Sequence, residues 1–110
     1  MTKAQAFDHI EREFATATQA RNKGNDGMVR VCARRAAGVA IACWLERSPR
    51  QGWGTDAMSQ LRNLQLDSAI PQNIRDAASR LTTKITGQFT SPFSTDPIDD
   101  SKTIIRHLLQ

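Results

Sequence analysis

MVRVCARRAAGVAIACWLER, residues 28–47, is the stretch that decides the fold. A helix that is apolar around most of its circumference lies at the centre of a domain or is half buried in a dimer. An interior glycine costs about 1 kcal/mol relative to alanine, so Gly38 predicts a close crossing with another helix. The polar groups of the stretch stand near its two ends, at Arg30, Arg34, Arg35, Glu46 and Arg47.

The segment before this central helix predicts a second, antiparallel helix. Apolar side chains recur there at intervals of three and four residues, which is the spacing of one helical face. Thr2 and Gln5 have the spacing of a capping box, and a Gly-Asn-Asp-Gly turn at 24–27 ends the segment. The prediction is a helix over residues 2–23 with a buried stripe formed by Phe7, Ile10, Phe14 and Ala17.

Three further helices are predicted after the central one. A short helix is capped by Thr55 and fades near Asp67. A fourth helix has Pro71 at its first position and ends at Gly87, and a last helix follows the cap residue Asp96. No segment shows the period-two alternation of a strand. The predicted fold is therefore all-α, an up-and-down bundle of four main helices plus one short helix.

The chain length predicts one domain. Its 110 residues suffice for one modest core, so residues 1–110 are expected to form a single helical bundle. No window approaches the roughly 20 apolar residues of a membrane span, which predicts a cytoplasmic protein without a membrane partner. The scarce aromatic residues Trp53, Phe89 and Phe93 are expected to pack against the ends of the bundle.

Neither histidine belongs to a recognisable catalytic or metal-binding pattern. His9 and His107 lack the context of a nucleophile–base pair, and neither belongs to the Glu-x-x-His motif with which helical bundles bind metals. Cys32 and Cys43 lie about 16 Å apart along one helix, so they cannot bond to each other. The sequence therefore predicts no catalytic residue, no metal site and no cofactor.

Positive charge is concentrated around the central helix. The net charge is +4, and residues 21–50 hold seven basic against two acidic side chains. Arg30, Arg34 and Arg35 stand close together, and three guanidinium groups can hold a phosphate or a carboxylate. The alternative is that they form ion pairs with carboxylates of a neighbouring helix, such as Glu11 or Glu13.

Three stretches together resemble the HEPN superfamily of small prokaryotic helical bundles. They are RVCARRAAGVAIACWL (30–45), PQNIRDAASRLTTKI (71–85) and DPIDDSKTIIRHLL (96–109). The resemblance implies a dimer and, in several members, ribonuclease activity in toxin–antitoxin or defence systems. The nuclease motif of that family is an Arg followed four to six residues later by a His, and this chain lacks it. Lys102, five positions before His107, is the nearest substitute, although Lys does not reproduce the planar fork of Arg.

Two functions from different classes follow from these observations. The first is a non-enzymatic, homodimeric helical module that binds a protein partner or a small anionic ligand through Arg30, Arg34 and Arg35. The alternative is a HEPN-like RNA-binding protein or ribonuclease that uses Lys102 and His107. Aromatic residues make up only 5% of the chain, which weighs against the stacking that single-stranded RNA requires.

Overall fold

The computed structural model describes residues 1–84 and 95–110. These residues form five α-helices and no strand, which confirms the predicted all-α bundle. Helix α2 contacts each of the other four. None of the helices in the described ranges has the length and apolar character needed to cross a membrane. The helices are α1 (Lys3–Asn22), α2 (Asp26–Arg47), α3 (Ala57–Leu66), α4 (Gln72–Thr82) and α5 (Pro97–Leu108).

Two apolar faces of α2 explain its nearly continuous apolar sequence. Ala33, Ala37 and Ile41, spaced four residues apart, pack with α3, α4 and α5 in the larger core cluster. Ala36 and Ala40 lie on a second face, which packs with α1 and the end of α5. The apolar circumference that predicted a dimer is thus largely covered within the chain, and the dimer stays a prediction.

Gly38 lies where α3 crosses α2, as the sequence predicts. A Cβ atom built on Gly38 would stand 2.8 Å from Cβ and 3.2 Å from Cα of Ala57, the first residue of α3. Real Cβ atoms do not approach another carbon to 2.8 Å, because the two atoms would overlap. The absence of a side chain at position 38 therefore sets how closely α3 approaches α2.

Replacing Gly38 by alanine is expected to destabilise the protein by about 1–2 kcal/mol, because the strain of overpacking exceeds the gain in helix propensity. Urea unfolding followed by far-UV circular dichroism measures the change. Gly27→Ala is the matched control, since a Cβ there meets only the Asn25 side chain at 3.7 Å. A Gly38→Ala variant as stable as the wild type would contradict the close crossing.

The buried stripe of α1 differs from the predicted one. Phe7, predicted to be buried, is 42% exposed. Ile10 and Ala17 are buried as predicted and Phe14 is partly buried, whereas Ala6 takes the place of Phe7. This follows because α1 packs on an alanine-rich face of α2, where the small side chain of Ala6 fits. The stripe then runs through position 13, which is occupied by Glu13. Its buried members are Ala6, Ile10, Ala17 and Ala20.

Helix α4 ends at Thr82, earlier than the predicted end at Gly87, which itself lies outside the described residues. Thr83 already has an extended backbone, with φ −70° and ψ 129°. Arg30 and Arg34 of α2 donate hydrogen bonds to the backbone carbonyls at positions 80, 81 and 83. An uninterrupted helix would use those at 80 and 81 for the N–H groups of residues 84 and 85. The tertiary contacts thus favour termination at this point.

The helix N-termini are close to their predicted positions. The Thr2–Gln5 capping box of α1 is present. Asp56, rather than Thr55, caps α3 and accepts a hydrogen bond from the Ser59 backbone N–H at 3.0 Å. This bond lowers the pKa of the Asp56 carboxyl. Thr55 is therefore not the cap residue of α3, and it instead lines the wall of a groove beside α3.

Three aromatic residues are predicted to pack at the bundle ends, and one of them, Trp53, lies within the described residues. It is 8% exposed and belongs to the larger core cluster, with its ring centroid 5.7 Å from that of Trp44. Phe89 and Phe93 lie outside the described residues. Trp53 is thus part of the core rather than an exposed stacking surface.

Candidate functional site

Arg30 and Arg34, predicted to bind an anion, cap the C-terminus of α4. Arg30 Nη2 donates to the carbonyl oxygens of Arg80 at 2.8 Å and Thr83 at 2.9 Å. Arg34 Nε donates to the carbonyl oxygen of Leu81 at 2.6 Å. The last carbonyls of a helix lack intrahelical donors and carry the negative end of its dipole. Two guanidinium groups of α2 therefore satisfy the end of α4.

This arrangement differs from both sequence-based alternatives. In the part of the chain that the structure describes, Arg30 and Arg34 form no ion pair with Glu11 or Glu13. Burial lowers the pKa of both guanidinium groups, and the positive charge of Arg34 lowers that of Arg30 further. These two arginines are therefore engaged at the end of α4.

Arg35 is the remaining member of the predicted trio, and it stands apart from the other arginines of α2. Arg47 caps α5 by donating to the carbonyl oxygen of Leu108 at 2.9 Å. Arg21 and Arg50, which flank α2, are held in ion pairs with N···O distances of 2.7 and 3.2 Å. Arg35 is exposed and forms no hydrogen bond or ion pair with any residue in 1–84 or 95–110.

Arg35 lines a groove of about 260 Å³ in which α1 and α3 flank α2. One wall is formed by His9 and Glu13, which are four residues apart and so share a face of α1. The floor is formed by α2, where Gly38 and its neighbours present little side-chain volume. We call this space the α1–α3 groove.

The opposite wall of the α1–α3 groove is the start of α3. It includes Thr55, Ala57 and Gln60. Gln60 is only 4% exposed, yet its side-chain amide forms no hydrogen bond to another residue of the described ranges. Its Oε1 would lie 3.5 Å from a Cβ on Gly38, so the amide is close to the floor. Buried polar side chains are normally hydrogen-bonded, and within residues 1–84 and 95–110 the amide of Gln60 has no protein partner.

Glu13 is a second polar group of the groove with an atom that lacks a hydrogen-bond partner among the described residues. Its Oε2 is sealed from solvent and has no hydrogen-bond partner among the described atoms. The pKa of the Cys32 thiol, which is buried in α2, depends on the charges around it. Burial raises the pKa of the thiol most, the negative charge of Glu13 raises it further, and the positive charge of Arg35 lowers it. Glu13 and Arg35 therefore act on the same part of α2 with opposite charge.

No family model, curated protein or solved structure matches this chain. The resemblance to HEPN bundles stays a prediction from the sequence.

A second cleft, of about 280 Å³, lies between α1 and α5 and contains Lys102. Its charged groups already have partners: Lys102 Nζ stands 5.8 Å from the ring centroid of Phe14, and Arg21 forms an ion pair with Asp96. His107 is exposed and does not line this cleft. The alternative nuclease site of Lys102 and His107 stays a prediction.

Sequence reasoning missed His9, Glu13 and Gln60 as members of a site. A sequence pattern for Glu13 was available, since small or apolar residues at 6, 10, 17 and 20 leave position 13 on the same face of the helix. A carboxylate at a core-facing position marks an unusual environment. Gln60 carries no such pattern, because its burial depends on the close approach of α3 at Gly38.

Proposed function

We propose that this chain is a non-enzymatic helical-bundle module that binds a small ligand carrying an anionic group in the α1–α3 groove. The observation that carries the proposal is the position of Arg35. It is the one arginine of α2 without a partner in the described protein, and it lines the groove to which Gln60 also contributes. A guanidinium group with free N–H donors binds carboxylates and phosphates well.

The dimensions of the groove limit the size of the ligand. Pockets for drug-sized ligands usually have about 300–1,000 Å³, and the α1–α3 groove has about 260 Å³. It is lined by helices rather than by long loops, so its polar groups are held by packed elements before a ligand arrives. This favours a ligand of amino-acid size over a nucleic acid strand or a dinucleotide.

Arg35→Gln is expected to weaken binding of butyrate or inorganic phosphate about ten-fold, because a charge-assisted hydrogen bond contributes about 1.5–3 kcal/mol. Titrations of ¹⁵N-labelled protein, followed by amide chemical shifts at Gly38 and Gln60, measure both affinity and location. Arg106→Gln, an exposed residue of α5 outside the groove, is the matched control for the loss of one positive charge.

Two results would argue against the proposal. One is the absence of saturable shifts around the groove with either anion. The other is equal affinity of the wild type and the Arg35→Gln variant, since the anion would then bind elsewhere.

The protein partner and the homodimer predicted from the sequence rest on weaker support than the groove. The large hydrophobic side chains exposed in residues 1–84 and 95–110 are Met1, Phe7 and Leu66. RNA binding loses its main support, because Arg21, Arg30, Arg34, Arg47 and Arg50, which supply most of the basic segment, are already bonded to carbonyls or carboxylates. The small-ligand function is therefore the one that the geometry favours.

A further inference from the structure

Glu13 occupies a position that packing alone would assign to a small apolar residue. Its neighbours on the same stripe of α1 are Ala6, Ile10, Ala17 and Ala20, all of which are buried. An alanine would continue this stripe without placing a carboxylate oxygen out of reach of water. A buried charged atom without a donor is unfavourable unless another group compensates it. The described chain offers no such group to Oε2 of Glu13.

Arg35 is the obvious candidate for compensation, yet it does not pair with Glu13. Both side chains line the α1–α3 groove and both act on the Cys32 thiol, but no ion pair or hydrogen bond joins them. The groove therefore presents two opposite charges that are near each other and unpaired. The α3 wall, opposite Glu13, contributes Gln60, whose amide offers both a donor and an acceptor.

We infer that the ligand of the α1–α3 groove is a small zwitterion, with its anionic group on Arg35 and a protonated amino group on Glu13. This inference rests on the proposed function and specifies its ligand class. Gln60 supplies an additional polar contact to either end of the ligand. A ligand of this kind fills the groove and neutralises the charges of Arg35 and Glu13, the latter through the part of the Glu13 side chain that lines the groove, since Oε2 itself is sealed from solvent.

Ligands with a single charge fit this groove less well. A simple anion on Arg35 is repelled by Glu13, and a simple amine on Glu13 is repelled by Arg35, since the interaction of like charges is unfavourable at short range. A zwitterion turns both repulsions into attractions. The charges of the groove therefore favour a zwitterion over a ligand with a single charge, and its volume limits the size of the ligand.

The test compares small molecules that differ in charge pattern. Butyrate carries the anionic group alone, butylamine carries the amino group alone, and glycine, γ-aminobutyrate and 6-aminohexanoate carry both at increasing separation. Calorimetry and ¹⁵N chemical shifts with the full chain are expected to show at least one amino acid binding ten-fold or more tightly than butyrate and butylamine. The length preference then measures the span between Glu13 and Arg35.

Glu13→Gln is the decisive variant. It is expected to lower the affinity for the preferred amino acid about ten-fold, to the level of butyrate, while the affinity for butyrate itself stays equal or rises. Glu11→Gln removes the same charge from an exposed position of α1 outside the groove and is expected to change neither affinity. Thermal unfolding gives a second readout: the Glu13→Gln variant is expected to melt at the same or a higher temperature, because an uncompensated charge is removed.

The outcomes separate this inference from the function on which it rests. If butyrate binds at the groove and no amino acid binds more tightly, the ligand class is wrong and the anion-binding function stands. If neither butyrate nor any amino acid binds, both are wrong. If Glu13→Gln melts at a markedly lower temperature with unchanged amino acid affinity, Glu13 has a structural role and the inference is overturned.

Discussion

Arg80→Met is expected to lower the free energy of unfolding by about 3 kcal/mol, because it leaves a buried carboxylate without its counter-ion. Arg80 of α4 donates to both carboxylate oxygens of Asp100 in α5, with Nη2···Oδ1 at 2.8 Å and Nε···Oδ2 at 3.1 Å. The Asp100 side chain is only 6% exposed. Without Arg80, the one side-chain donor left to Asp100 among the described residues would be the Thr95 hydroxyl, whose Oγ1 lies 3.3 Å from Oδ2. Urea unfolding by far-UV circular dichroism measures the loss.

A double-mutant cycle identifies the cause of this destabilisation. If the uncompensated charge is responsible, adding Asp100→Asn to Arg80→Met restores at least about 1 kcal/mol, since the remaining amide is neutral. A double variant less stable than Arg80→Met would show instead that packing of the arginine side chain dominates. A stability of the single variant within about 0.5 kcal/mol of wild type would show that the ion pair contributes little.

The double variant Arg30→Met/Arg34→Met is expected to be less stable than wild type by about 2 kcal/mol. It removes the donors that satisfy the end of α4. Part of that loss is offset, because the two guanidinium groups repel each other and are partly desolvated, as the lowered pKa values of both indicate. Both groups also converge on the Leu81 carbonyl, so their contributions are not additive. Urea unfolding and the amide exchange rates of α4 are the measurements.

Ligand affinity distinguishes this capping role from the anion site predicted from the sequence. Arg30→Met/Arg34→Met is expected to bind butyrate as the wild type does, whereas Arg35→Gln is expected to lose affinity with a stability change within about 0.5 kcal/mol. The reverse pattern, with Arg30 and Arg34 required for the anion, would place the site at the end of α4.

Much of the fold could be predicted from residues 28–47 and the helix end signals. The central position of α2 follows from its apolar circumference, and the crossing at Gly38 follows from an interior glycine in an otherwise alanine-rich helix. The capping box at Thr2 and Gln5 is a local interaction, so local sequence suffices to place it. These features depend on the chain within a few residues, which is the range over which sequence patterns are informative.

The differences arise where two helices determine the outcome together. The buried stripe of α1 depends on which of its faces meets the alanines of α2, and spacing alone predicts Phe7 in the core because the sequence pattern of α1 does not contain the partner surface. The end of α4 depends on Arg30 and Arg34, which are about 50 residues earlier in the chain. The candidate groove likewise depends on several helices together, since its walls belong to α1 and α3 and its floor to α2.

Three arginines of α2 donate to backbone carbonyls, and this has a consequence for how the protein can change by mutation. Every residue type has the same carbonyl oxygen, so the side chains at positions 80, 83 and 108 can be replaced without removing an acceptor. The arginines at 30, 34 and 47 have no such freedom, because their donors belong to the side chain. Pairwise covariation, which detects compensating side chains, would therefore miss these three contacts between helices.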